Sequence, residues 1–154
     1  MLHYKLMGEY RHSLDSKNRL SVPAKLREQF GDTVVITRAL RGAVLRIYSQ
    51  AEWELFEKSV FEREDKPKEK VVERYRRFIY KGTEEISFDS QGRVLLNPIL
   101  LKHAELNNVD AKDVVIVGCG KYAEIWLEKN YEAEEAREEE DMDEFLEELE
   151  GYDY

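Results

Sequence analysis

The sequence predicts a mainly β domain with helices, an α+β fold made of two matching halves. Three observations predict it. Residues 13–28 read SLDSKNRLSVPAKLRE and residues 87–102 read SFDSQGRVLLNPILLK, so one segment occurs twice, with its Asp-Ser pairs 74 residues apart. In each copy the Asp-Ser stretch reaches an Arg, then a short apolar run, a proline and a helix-like segment. Each copy then closes with two runs rich in Val, Ile, Tyr and Trp joined through glycine, the pattern of a β-hairpin. Matching halves can share one pseudo-symmetric core and present the same polar loop twice.

The elements follow one plan. A polar turn at Asp15-Ser16 or Asp89-Ser90 precedes a short strand, Leu20-Ser21-Val22 or Val94-Leu95-Leu96. Pro23 and Pro98 then open helices over 23–30 and 98–106, since proline at the first turn lacks only an N–H that has no partner there. Gly31-Asp32 and Asn107-Asn108 are read as the stops. Strands over Thr33–Arg38 and Val44–Tyr48 finish the first copy, and Val114–Val117 and Ala123–Leu127 the second. The second copy has one extra residue, Asn97, between its Arg and its Pro, which implies a bulge or a longer turn.

Residues 50–81 read as two helices. Trp53, Phe56, Val60 and Phe61 recur at helical spacing, then Val71, Val72, Tyr75, Phe78 and Ile79, with a charged break at residues 63–68. Residues 128–150 read as one long Glu-rich helix with Phe145, Leu146 and Leu149 on a stripe, followed by a fraying end. The expected divisions are a first repeat at 8–55, a helical connection at 56–81, a second repeat at 82–128 and an acidic helix and tail at 129–154. Trp53 and Trp126 sit in apolar patterns and are assigned to core packing.

At 154 residues and 42% hydrophobic content the chain suits one domain or two half-domains sharing a core. No apolar run approaches the roughly 20 residues that span a bilayer. The N-terminus lacks the apolar stretch of a signal peptide. One cysteine, Cys119, rules out an internal disulfide and fits a reducing cytosol. With His3, His12 and His103 scattered, zinc spacing is absent. Neither a catalytic triad order nor a phosphate-binding glycine loop occurs, so no enzyme, cofactor, metal site or small-molecule substrate is expected.

The net charge of −9 hides an asymmetry. Residues 128–154 hold 14 acids and 2 bases, net −12, leaving 22 bases and 19 acids, net +3, in residues 1–127. A mildly basic body with an acidic segment is compatible with nucleic acid, because the local field governs binding.

Two readings of the loops stand side by side. In one, Asp15 and Asp89 accept backbone N–H bonds, hold Arg19 and Arg93 by charge-assisted bonds, and clasp a turn with no partner. Asn18 and Gly92 precede the arginines, and both residue types tolerate positive φ. In the other, the basic residues neutralise phosphates. Arg11, His12, Lys17 and Arg19 surround the first turn, whereas the second has Arg93 and carries Gln91 in place of Lys17. Charge therefore predicts stronger DNA binding by the first loop. The basic run Lys66–Arg77 reads first as a solvated face, and Arg38, Arg41 and Arg46 could meet a neighbouring subunit.

These residues resemble the MraZ family of bacterial regulators, whose domain is shared with AbrB- and SpoVT-type transcription factors. The likeness covers nearly all of residues 1–130. It rests on the paired Asp-x-x-x-Arg loops, the Pro and short helix after each, and Ile47-Tyr48-Ser49-Gln50-Ala51-Glu52-Trp53. The resemblance implies a double-split β-barrel built from both repeats, with flanking helices and ring-shaped homo-oligomers. It also implies specific binding to short tandem repeats in the promoter of the division and cell-wall gene cluster, mainly as a repressor. Asp15 and Arg19 match the first signature, with Lys17 beside them, and Asp89 and Arg93 match the second; Arg19 carries the DNA-contact role first, and Arg11 joins the candidates from the charge reading alone. One departure is Asn18, where the family often has Gly. The expected partners are double-stranded DNA and further copies of the chain, with no membrane, in a cytoplasmic and nucleoid-associated setting. The competing expectation is a non-enzymatic assembly protein whose acidic helix docks a protein partner through Phe145, Leu146 and Leu149.

Overall fold

The computed structural model describes residues 5–62, 65 and 68–152. Most of the charged break between the connecting helices (Arg63, Glu64, Lys66 and Pro67) lies outside that range, as do His3, Asp153 and Tyr154.

In chain order the elements are β1 (Glu9–Ser13), β2 (Arg19–Ser21), α1 (Ala24–Phe30), β3 (Thr33–Arg38), β4 (Val44–Ser49), α2 (Gln50–Phe61) and α3 (Glu69–Gly82). There follow β5 (Glu84–Ser87), β6 (Arg93–Leu95), α4 (Pro98–His103), β7 (Asp113–Gly118), β8 (Ala123–Leu127), α5 (Glu128–Glu140) and α6 (Met142–Glu150). The fold is α+β with antiparallel sheet, as the sequence predicts.

The two repeats are interleaved. Six strands run in the order β1-β7-β8-β4-β3-β5, and β2 pairs with β6 in a separate ribbon. Each repeat lends its first strand to the other: β1 pairs with β7, and β5 with β3. The equivalent strands β4 and β8 meet at the centre, with Leu45 opposite Ile125. Swapping the repeats leaves the strand order unchanged, so the sheet has a pseudo-two-fold between β4 and β8. The ribbon lies against both sheet edges, β2 against β1 and β6 against β5.

One core fills this arrangement. Leu20, Val34, Ile36 and Leu45 of the first repeat and Val94, Leu100, Ile116 and Ile125 of the second are all at most 1% exposed. Burying such side chains stabilises each by about 1.5–3 kcal/mol relative to exposure.

The sequence reading starts the repeats at 8 and 82, ahead of their loops, but assigns no strand there and so misses β1 and β5. Both are edge strands that bury few side chains: β1 buries none and β5 only Ile86. Asn97 resolves as a longer turn. Its side chain caps α4, accepting the Leu100 N–H at 2.9 Å, and donates to Gly82 O at 3.0 Å. The α4 helix ends at His103, before the expected stop at Asn107-Asn108. Glu105 takes φ 59°, and the Leu106 N–H bonds back to Leu101 O at 2.8 Å, satisfying a carbonyl of the last turn.

The connecting helices form a second apolar cluster with Val35, Tyr48, Trp53, Phe61, Val72 and Ile79 buried. Val71 departs from the expected stripe and is exposed, since Val72 takes the inward position. The expected single helix over 128–150 is broken at Asp141 into α5 and α6. Four consecutive acids, Glu138 to Asp141, place like charges three apart at the break. The α5 helix packs on β7 and β8. Trp126 lies half-buried beneath it, edge-on to Tyr131 at 5.7 Å, rather than in the central core. In α6 no residue is buried, and Phe145 and Leu146 are exposed. Among the described residues no helix is long and apolar enough to cross a membrane.

Candidate nucleic-acid interface

The two Asp-x-x-x-Arg loops adopt one geometry. In the first, the Lys17 and Arg19 N–H groups donate to Asp15 Oδ1, each at 2.9 Å, and Arg19 Nε donates to Oδ2 at 2.6 Å. In the second, Gln91 and Arg93 donate to Asp89 Oδ1 at 2.9 Å, and Arg93 Nε to Oδ2 at 2.8 Å. The turn residues Asn18 and Gly92 take φ 61° and 74°, the left-handed conformation their types allow. Both carboxyls are held below the ordinary Asp value of 3.8, first by the N–H bond from the following Arg backbone and then by its guanidinium. One acid thus satisfies two backbone donors and orients one Arg, which is how the short sequence Asp-Ser-x-x-Arg makes a rigid loop.

The loops are also cross-braced. Gly92 O accepts the Val22 N–H, and Asn18 O accepts the Leu96 N–H, each at 3.1 Å. Below Gly92 lies the Arg27 guanidinium, donating to Val22 O at 2.9 Å; a Cβ on Gly92 would fall 2.6 Å from it. Below Asn18 lies Lys112, whose Nζ donates to Asn18 Oδ1 at 2.8 Å and to Leu106 O at 2.7 Å. Each loop therefore rests on a basic residue of the other repeat. The sequence reading gives neither Arg27 nor Lys112 a part in the site. Nothing local marks them, apart from the glycine at 92 that leaves room for Arg27.

The β2–β6 ribbon sets the direction of the arginines. Arg19 pairs with Leu95, Leu20 with Val94, and Ser21 with Arg93. With period-2 alternation, buried Leu20 and Val94 face the core, and Arg19, Ser21, Arg93 and Leu95 form the outer face. Leu95 is 54% exposed there. Arg93 lies 3.7 Å from Asp15, so it joins the two loops, whereas Arg19 pairs with its own Asp. Lys17, Ser16 and Gln91 are exposed.

Of the six residues singled out from the sequence, Asp15, Lys17, Arg19, Asp89 and Arg93 come together at this ribbon. Arg11 is directed elsewhere. It sits on β1 and pairs with Glu132 at 2.9 Å, Glu128 at 3.6 Å and Glu9 at 3.5 Å, fastening α5 to the sheet. The Tyr131 hydroxyl adds a bond to Glu9 at 2.7 Å. Among the described residues no group of His, Cys, Asp or Glu could hold a metal ion. Desolvation pushes the Cys119 thiol up to about 11, which leaves it protonated and a poor nucleophile near neutral pH.

Two matching loops thus flank one outward-facing ribbon that carries Arg19 and Arg93. Comparison with known proteins, rather than the loops alone, gives the class, a transcription regulator that binds DNA. The family model described as "MraZ protein, putative antitoxin-like" matches residues 6–74 and 79–150, and the chain belongs to the MraZ family. It is 40% identical over 147 residues to the transcriptional regulator MraZ of Oenococcus oeni, covering 96% of this chain and 98% of that protein. The transcriptional regulator MraZ of Ligilactobacillus salivarius is 39% identical over 148 residues, covering 96% and 98%. That of Clostridium tetani is 36% identical over 126 residues, covering 82% and 84%.

Proposed function

We propose that the protein is a sequence-specific repressor that binds short tandem promoter repeats upstream of the division and cell-wall gene cluster. In this reading it acts as a ring-shaped homo-oligomer with its first loops aligned on one face. The observation that carries the reading is the outer face of the β2–β6 ribbon. There Arg19 is held by Asp15 in a fixed direction, with exposed Lys17 beside it. Arg19 is the group that reads a base edge, because its planar fork suits guanine. Lys17 neutralises a phosphate. Asp15 and Asp89 are positioning residues, and Arg93 both joins the loops and adds charge to the same face.

A protomer offers few phosphate contacts, so useful affinity comes from several loops engaging a repeated operator together. The acidic helix α5 pairs with Arg11 through Glu128 and Glu132 and not with the loop arginines, which supports a basic ribbon face.

The test is a gel shift with DNA from immediately upstream of the protein's own gene, titrated with salt and compared with a scrambled sequence of equal length. Retention of the native sequence at salt that frees the scramble is the expected result. Equal binding to both, collapsing together as salt rises, would reduce the function to non-specific charge attraction.

A further inference from the structure

A second cluster of arginines lies apart from the ribbon and shares no residue with it. Arg38 at the end of β3, Arg41 in the following turn and Arg46 on β4 line a cavity of about 220 Å³ walled by Tyr48 and Tyr75. Among the described residues no carboxylate lines it. Among the same residues none of the three arginines forms an ion pair. Arg38 stacks over Phe78 at 4.0 Å and donates to the Phe78 carbonyl. Arg46 stacks over Tyr122 at 4.2 Å and donates to the Tyr48 hydroxyl at 3.4 Å. Glu124, opposite Arg46 on β8, accepts the Trp126 indole N–H at 3.1 Å and makes no ion pair with Arg46, though its charge helps hold the Arg46 guanidinium above its ordinary value.

Three arginines lining one cavity with no carboxylate among its lining residues are unfavourable in a protein left to itself. The Nε atoms of Arg38 and Arg46 are buried with no hydrogen-bond partner, although buried donors are almost always paired. Desolvation also draws the Arg38 guanidinium below its ordinary value, so burial works against its charge. The aromatic faces hold the two guanidinium planes in place, leaving their remaining donors free for a ligand. Water occupies roughly 30 Å³ per molecule, so the cavity has room for one tetrahedral or planar oxyanion.

We propose that this cavity is an oxyanion site that takes one phosphate- or carboxylate-sized group, with Arg38, Arg41 and Arg46 as its counter-charges. Two sources supply that chemistry. One is a small phosphate-bearing molecule. The other is a carboxylate of a second copy of the chain, whose residues 128–154 hold 14 acids.

The experiment uses the full chain and two variants. Arg46→Met keeps the side chain's packing on Tyr122 without its charge, and Arg41→Ala changes an exposed turn residue that supports no core. Inorganic phosphate is titrated at constant ionic strength and followed by calorimetry and ³¹P line width, with sedimentation measured in parallel. Saturable phosphate binding in the wild type, weakened about tenfold in both variants with folding intact, assigns the site to a small anion. No phosphate binding in the wild type, with both variants sedimenting as smaller species while Arg19→Ala does not, assigns it to a carboxylate of a neighbouring copy. Phosphate binding unaltered by either substitution, or no binding together with unchanged sedimentation, would overturn the proposal.

Discussion

The first and second loops share a backbone and differ in what surrounds it. Both wrap an Asp carboxylate with the same donors at nearly the same distances. Yet Arg19 answers to one acid and stands 31% exposed, whereas Arg93 reaches two acids and is 21% exposed. The first loop carries Lys17 and Asn18 where the second carries Gln91 and Gly92. Duplication thus preserves the scaffold and lets the copies take different roles. One loop presents charge, and the other ties the pair together.

The scaffold under the second loop is the first place to disturb this division. Gly92→Ala adds a Cβ at φ 74° and displaces the Arg27 guanidinium from Val22 O. A loss of about 1–3 kcal/mol is expected in urea unfolding. Asn18→Gly keeps the backbone conformation and should cost less than half as much. Equal losses would mean that the two turns are not differently supported.

Next comes the brace under the first loop. Lys112→Met removes the bonds to Asn18 and Leu106 while keeping the chain length. It should lower stability by about 1 kcal/mol and weaken promoter binding severalfold. Unchanged binding would show that the first loop holds its shape without Lys112.

Charge transfer between the loops gives a smaller effect. Gln91→Lys makes the second loop resemble the first. Affinity for promoter DNA should rise a few-fold at low salt, with the salt slope steeper by about 1 per protomer engaged. No change in slope would place the second loop away from phosphate.

The smallest effect separates nothing between the loops and tests what they share. Asp15 and Asp89 should both titrate below 3.8 when followed by carboxyl ¹³C shifts. Their folded values are depressed, so the stabilisation each gives is present above the unfolded value. It is lost as pH falls through the folded one. A carboxyl titrating at or above 3.8 would mean that its clasp is open in solution.

What the sequence makes legible depends on distance along the chain. The clasp is legible, because Asp, the positive-φ residue and Arg lie within five positions, and local turn chemistry determines them. Asn18 and Gly92 point to left-handed turns for the same reason. The exchange of β1 and β5 between repeats is not, because a polar edge strand such as Glu9–Ser13 carries little apolar pattern and its partner lies about 100 residues away. Arg11 illustrates the cost of that omission: next to the loop in sequence, it is turned by β1 toward α5. Arg27 and Lys112 escape notice because each braces a loop of the other repeat. The break at Asp141 depends on charge crowding within a helix whose composition otherwise favours continuity.

Above all, the first loop is held to contact DNA through Arg19 while the scaffold stands without it. Fluorescence anisotropy with labelled promoter DNA, alongside native mass spectrometry and thermal unfolding, tests Arg19→Ala directly. The expected result is loss of specific binding by at least about tenfold, consistent with the roughly 1–3 kcal/mol of one bidentate base contact multiplied across protomers, with assembly and thermal midpoint unchanged. Wild-type affinity and sequence preference in Arg19→Ala would contradict it.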